Sequence, residues 1–313
     1  MGEARETRWL VEEEGLVGTL FCRTTPGPHP AVIALGGAGG GLREGGAEAL
    51  ASEGFAALAL AYFGVEPLPR ELVEIPLEYF EKAIEWVKSQ PEVDANRIAV
   101  VGNSKGGELA LLLGATYPED VKAVVGYVPS GIVWQGVSFD RWSYFREPRS
   151  SWSLGGEPLP FVRFARPRFS EMIRMIGFFF GKPPALGPIF YEPALEDEAA
   201  VAAASIAVEK INGPVLVISG TDDQVWPSTR LSEMVIERLQ AHHHPFPYEH
   251  LRYEGAGHMI SMPRSGQETP QARRFKLGGS QEADEYASTA SWQKVLGFLK
   301  KSLSLGKEEG LGE

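Results

Sequence analysis

The stretch Arg97-Ile-Ala-Val-Val-Gly-Asn-Ser-Lys-Gly-Gly-Glu-Leu-Ala-Leu-Leu-Leu113 constrains this chain more than any other. It opens as a buried-type strand and closes as a helix, and Gly102-x-Ser104-x-Gly106 is the joint between them. A serine held there sits in a strained turn, and only glycines two positions either side let neighbouring backbone approach that closely. The bare pattern is frequent by chance, so its meaning comes from the strand before it and the helix after it. With both present the stretch reads as a nucleophile elbow, and Ser104 is the candidate nucleophile.

The rest of the chain supplies a scaffold for such a joint. Short aliphatic and β-branched runs alternate with amphipathic ones, the rhythm of an α/β protein whose mostly parallel sheet carries helices on both faces. Strands are expected over 16–23, 31–36, 55–62, 97–102, 122–128, 214–219 and 248–254, and helices over 44–52, 77–89, 105–116, 228–240 and 285–303. The first strand alternates and precedes a Pro-Gly-Pro-His-Pro turn, which predicts an antiparallel edge. Residues 131–205 break the rhythm with many aromatics, repeated prolines and no clear strand. The expected division is a core of residues 1–130 and 206–313, with 131–205 inserted as a cap over the carboxyl ends of the strands, where such sheets bind ligands. The tail after Leu305 reads as frayed.

A serine hydroxyl needs a base to take its proton and an acid to hold that base. His258, in Glu254-Gly-Ala-Gly-His-Met-Ile, directly follows the last strand and has small neighbours that leave its ring room. His29 lies in a proline turn, His250 within a strand, and His242 to His244 form a run that cannot all face one site and lacks the spacing of a zinc site. In Gly220-Thr-Asp-Asp-Gln-Val-Trp-Pro the acid is read as Asp223, with Asp222 the alternative because a loop shift of one residue is invisible in sequence. The order Ser104, Asp223, His258 is that of the α/β-hydrolase fold. For the oxyanion, the backbone N–H of Lys105 and one from Gly36-Gly-Ala-Gly-Gly-Gly41 are the candidate donors, with Gly37 preferred and Ala38 next. No Lys-Ser/Thr follows that glycine run, which argues against a phosphate-binding loop.

The net charge of −11 opposes nonspecific attraction to nucleic acid or anionic membranes. No apolar run is long enough to span a bilayer and the N-terminus has no signal-peptide core, so a cytoplasmic location is expected. The single Cys22 fits a reducing compartment and excludes an internal disulfide. Neither a cofactor nor a metal is expected.

Several stretches resemble one family. They are Gly54-Phe-Ala-Ala-Leu-Ala-Leu-Ala-Tyr-Phe-Gly64, Pro76-Leu-Glu-Tyr-Phe-Glu-Lys-Ala-Ile84, the elbow with its unusual Ser-Lys-Gly-Gly-Glu, Gly220 to Ser228, Gly255-Ala-Gly-His258 and Ala287-Ser-Thr-Ala-Ser-Trp-Gln-Lys-Val-Leu296. Together they resemble the catalytic domain of acyl-CoA thioesterases and bile acid-CoA:amino acid N-acyltransferases, over residues 30 to 303. The resemblance implies an acyl-CoA substrate, an acyl-enzyme resolved by water, and triad roles for Ser104, Asp223 and His258. Conjugating members of that family resemble cysteine enzymes, whereas serine accompanies hydrolysis, so Ser104 points to a thioesterase. Eukaryotic members resemble a two-domain plan with a β-sandwich ahead of this domain, and about thirty residues precede the match here.

The same machinery also fits a carboxylesterase or dienelactone-hydrolase-like enzyme on small esters, and a binding protein on a hydrolase scaffold would show a broken triad. Residues 141–174 carry seven arginines (141, 146, 149, 163, 166, 168, 174) against three glutamates. That patch is either a holder for CoA phosphates or a solvated face of internal ion pairs. Met172 to Phe180 reads as either a mobile acyl-lining lid or the insertion's own core.

Overall fold

The computed structural model describes residues 6–11, 15–23, 27–138, 146–169, 171, 183–263 and 275–304. In chain order the strands are β1 (Glu6–Val11), β2 (Val17–Arg23), β3 (His29–Leu35), β4 (Ala56–Ala61), β5 (Ile75–Pro76), β6 (Val93–Asn103), β7 (Val121–Tyr127), β8 (Trp152–Leu154), β9 (Glu157–Pro158), β10 (Val215–Gly220) and β11 (Tyr248–Tyr253). The helices are α1 (Gly45–Ser52), α2 (Leu77–Lys88), α3 (Lys105–Thr116), α4 (Glu198–Ala204), α5 (Ser228–Ala241) and α6 (Gln281–Ser302). Eight strands form one sheet in the order β1-β2-β4-β3-β6-β7-β10-β11. β2 runs antiparallel to β1 and β4, and every pairing from β4 to β11 is parallel.

The central strands read as unbroken apolar runs because both of their faces are covered. Ala31, Ile33 and Leu35 of β3, with Ile98 and Val100 of β6, pack toward α2, α3 and α5. Their neighbours Val32, Ala34, Ala99 and Val101 pack toward α1 and α6, where Leu50, Val295 and Leu299 meet them. Parallel strands direct all their carboxyl ends to one edge, so the loops after β6, β10 and β11 emerge side by side.

Two expectations need correction. The strand read over 16–23 is antiparallel but not an edge, because β1 pairs outside it in register from Glu6 opposite Arg23 to Val11 opposite Gly18. Six residues beside a run of glutamates gave no alternation to read. Residues 131–205 also contain strands, since β8 and β9 form a small sheet with β5. Strands of two and three residues leave no period in a sequence, and Pro158 lies on the outermost one, where its missing N–H costs no ladder bond.

The two ends of that segment are tied together, Val133 N–H donating to Ala204 O and Ile206 N–H to Gly131 O, each at 2.9 Å. Between them Trp134, Val162, Phe164 and Leu195 make a separate apolar cluster with Trp226. α4 begins where Asp197 accepts from Ala200 N–H at 3.0 Å. Helix α6 starts earlier than the sequence indicated because Ser280 Oγ caps it, accepting from Ala283 N–H at 3.1 Å. The Met172 to Phe180 run and the tail after Leu305 lie outside the described residues. No helix among the described residues is long and apolar enough to cross a membrane. Burial, then the Glu92 charge, pushes the Cys22 thiol up to about 11.

The chain returns from the segment through the turn Val208–Lys210, where Glu209 binds Arg238 of α5 by a two-pronged contact of 2.5 and 2.7 Å. That hydrogen bonding holds the Glu209 carboxyl down at about 2, from an ordinary 4.5, so its stabilisation is complete above pH 4.5 and is lost as pH falls toward 2. Arg238→Gln should therefore lower stability to urea by on the order of 1 kcal/mol at pH 7, the pair being partly solvent-screened. The gap between variant and parent should narrow as the pH is lowered from 4.5 to 2, and an unchanged gap across that range would contradict the assignment.

Candidate active site

Ser104 sits between β6 and α3 with φ 56° and ψ −118°, in the region that non-glycine residues avoid. Two glycines make the turn possible. A Cβ on Gly102 would lie 1.8 Å from Gly106 O, and one on Gly106 would lie 2.4 Å from Gly36 O and 2.6 Å from Leu35 O. The N–H of Ser104 donates to Tyr127 O at 2.8 Å, which fixes the turn to the end of β7.

His258 lies on the loop after β11, its N–H donating to Leu277 O at 3.0 Å. Its Nε2 is 2.9 Å from Ser104 Oγ and its Nδ1 is 2.8 Å from Asp223 Oδ2. Asp223 is 1% exposed and His258 11%, so the contact between these two is nearly dry. The second carboxylate oxygen of Asp223 accepts from Val225 N–H at 2.9 Å and Trp226 N–H at 3.3 Å, so both oxygens are occupied. Asp222 faces elsewhere, accepting from Gln224 Nε2 at 2.6 Å and from Gly279 N–H at 2.8 Å. Its place is to tie the loop after β10 to the segment before α6. With the imidazole proton on Nδ1 donating to Asp223, Nε2 is free to accept the Ser104 proton.

The early glycine loop closes over the same point. An ideal Cβ on Gly37 would stand 3.2 Å from Ser104 Cβ and 3.1 Å from Asn103 O, so this loop and the elbow are in direct contact. Tyr62 holds the loop from behind, its hydroxyl donating to Gly36 O at 2.6 Å. Lys105 is the first residue of α3, and N–H groups in a first helical turn have no carbonyl one turn back. A developing negative charge beside Ser104 would therefore meet a helix N-terminus and the backbone of Gly37.

Contacts of three further side chains, Asn103, Trp226 and Glu108, shape the site and escaped the sequence reading. Asn103 Nδ2 donates to Ile260 O at 2.9 Å, joining the residue before Ser104 to the loop of His258. The Trp226 ring stands edge-on to the His258 ring at 6.0 Å and donates through Nε1 to Val128 O at 3.0 Å. The side chain of Lys105 pairs with Glu108 at 2.7 Å in the interior. Their only sequence signal was position within the motif stretches.

Two of the remaining histidines are engaged apart from this centre. His250 contacts Ser219 Oγ at 2.8 Å and burial lowers its pKa, while His244 Nε2 donates to Gly213 O at 3.1 Å. Among the described residues no group of three or more His, Cys, Asp or Glu could hold a metal ion. Of the arginine patch, Arg146, Arg163, Arg166 and Arg168 are exposed, Arg149 pairs with Glu74, and Arg141 and Arg174 lie outside the described residues.

Residues 75–161 and 186–305 match the family described as BAAT / Acyl-CoA thioester hydrolase C terminal. The mitochondrial acyl-coenzyme A thioesterase 2 of Mus musculus is 31% identical over 298 residues, covering 94% of this chain and 60% of that protein. Acyl-coenzyme A thioesterase 1 of Homo sapiens is 31% identical over 305 residues, covering 94% of this chain and 64% of its own length. This chain thus spans less than two thirds of either relative. Among solved structures, a dienelactone hydrolase-like promiscuous phosphotriesterase from metagenomic libraries superposes with TM-score 0.53 at 17% identity, covering 96% of this chain and 98% of that one. The last likeness shows the α/β-hydrolase fold, and the family match across most of its length identifies this chain as a member of the BAAT / acyl-CoA thioester hydrolase C-terminal family.

Proposed function

We propose that this protein hydrolyses acyl-CoA thioesters through an acyl-enzyme on Ser104. The observation that carries the reading is the unbroken line from Asp223 Oδ2 to His258 Nδ1 at 2.8 Å and from His258 Nε2 to Ser104 Oγ at 2.9 Å. His258 takes the Ser104 proton as Oγ attacks the thioester carbonyl, and Asp223 stabilises the imidazolium that results. The tetrahedral oxyanion is met by the N–H of Lys105 and by that of Gly37, each donor contributing on the order of 3 kcal/mol to transition-state stabilisation. His258 then returns its proton to the departing CoA sulfur. Water, activated by the same ring, attacks the acyl-serine ester, and the carboxylic acid leaves as Ser104 recovers its proton.

Acyl-CoA as the substrate class rests on family membership and on the relatives that carry thioesterase names. Residues 131–205 are assigned as a cap on the hydrolase core of 1–130 and 206–313, a reading supported by their joined ends and separate apolar cluster. Exposed Arg163 and Arg166 in that cap are assigned to the CoA phosphates, which a guanidinium fork suits.

A fluorophosphonate probe with release of free CoA thiol as the second readout tests the roles. Ser104→Ala should abolish labelling, and Asp223→Asn should lower kcat by roughly 10³–10⁴-fold, because the imidazole then presents the wrong tautomer. Asp222→Asn should leave kcat within about tenfold, its partners being the loop backbone and Gln224 rather than the imidazole. If Asp222→Asn eliminates reactivity and Asp223→Asn spares it, the acid is misassigned.

For the cap, reversing Arg163 and Arg166 to Glu should raise KM for acyl-CoA by about tenfold or more while leaving KM for a p-nitrophenyl ester unchanged, since only the former carries phosphates. An unchanged KM for acyl-CoA would remove the phosphate assignment. A many-fold preference of the unmodified protein for simple esters would replace the thioesterase reading with a carboxylesterase one.

A further inference from the structure

The side chains of Lys105 and Glu108 take no part in the steps above, yet they form an ion pair at 4% and 0% side-chain exposure. Burying two charges is costly unless their geometry is good and every remaining lone pair is met. Here it is met. The Glu108 carboxylate receives Lys105 Nζ on both oxygens at 2.7 and 2.8 Å, Trp152 Nε1 at 2.8 Å and Trp134 N–H at 3.4 Å. Burial draws the ammonium below its ordinary pKa and pushes the carboxyl above its own, and each partner opposes the other's shift.

Both tryptophans belong to the segment 131–205, whereas Lys105 and Glu108 form the first turn of α3. Trp152 also reaches the opposite wall of the site. Its ring lies 5.6 Å from Lys105 Nζ and 5.8 Å from the ring of Tyr62, whose hydroxyl holds Gly36 O beside Gly37. One indole therefore braces the side chain of the residue that supplies one oxyanion donor and the tyrosine behind the loop that supplies the other.

We propose that Glu108 and Trp152 are positioning residues through which the segment 131–205 sets the geometry of the oxyanion site. This inference rests on the reading of Ser104 as nucleophile and of Lys105 and Gly37 as donors. Contacts from one indole to the first turn of α3 and to the tyrosine that holds Gly36 limit how far the two donors can move relative to each other before substrate arrives. Fixed donors raise kcat rather than lower KM, because they act on charge that develops only in the transition state.

Three variants separate positioning from stability. Trp152→Phe keeps a ring and removes the Nε1 donor; it should lower kcat for acyl-CoA by about tenfold with KM within about twofold. Glu108→Gln leaves the ammonium unpaired and should lower both Tm and kcat, the latter by about 30-fold. In Lys105→Met/Glu108→Gln the unpaired charge is gone, so Tm should recover while kcat stays low. A trifluoromethyl ketone, whose tetrahedral adduct carries the oxyanion, should lose affinity in step with kcat in all three. Recovery of kcat together with Tm in the double variant, or a Trp152→Phe protein with parental kcat and ketone affinity, would overturn the inference. Fluorophosphonate labelling of the unmodified protein distinguishes the cases: labelled Ser104 with unaffected variants removes this inference alone, and unlabelled Ser104 removes the nucleophile reading with it.

Discussion

Backbone meets backbone at Gly102 and Gly106 so closely that no Cβ fits at either position, and the exposure of Ser104 on its turn depends on that contact. A serine at φ 56° carries strain on the order of 1–3 kcal/mol, which persists only where surrounding structure over-determines it. The determining elements are visible. β6 is hydrogen-bonded on both sides by β3 and β7, α3 packs across those strands, and the Ser104 N–H is taken by Tyr127 O. The rest of the site is arranged around that fixed point, with the loop after β11 anchored to it through Asn103 and Ile260 O.

The sheet makes the convergence possible. Asp223 and His258 are 35 residues apart in the chain and His258 is 154 from Ser104, yet their strands are β10, β11 and β6 of one parallel array. The same geometry explains why Asp222 and Asp223, adjacent on one loop, have different environments. Asp223 turns inward to the imidazole and its own loop amides, and Asp222 turns to Gly279, where glycines with positive φ carry the chain past it.

Much of this was legible in the sequence, for identifiable reasons. The central strands were readable because two covered faces require continuous apolar residues, and the elbow because Gly-x-Ser-x-Gly stands directly between a buried-type strand and a helix. The loop positions of Asp223 and His258 followed from the strands before them. What stayed hidden was set by long-range pairing. β1 becomes a strand only through its partner β2, and β8 and β9 are too short to carry a period. The choice between Asp222 and Asp223 depends on a side-chain direction within one loop. Glu108 stood out as part of the Ser-Lys-Gly-Gly-Glu motif, but its burial against two tryptophans did not, because they come from a segment whose fold had no signature of its own.

The family resemblance supports the proposed substrate class, while the geometry bears on the chemistry of attack. These are separate claims, and the central one is that the acyl group passes through Ser104. Rapid-quench mass spectrometry of the protein mixed with an acyl-CoA tests it most directly. The account predicts a transient acyl mass on the peptide containing Ser104, formed before free acid accumulates and absent from Ser104→Ala. Turnover of acyl-CoA with the acyl group on another side chain, or with undiminished rate in Ser104→Ala, would contradict it.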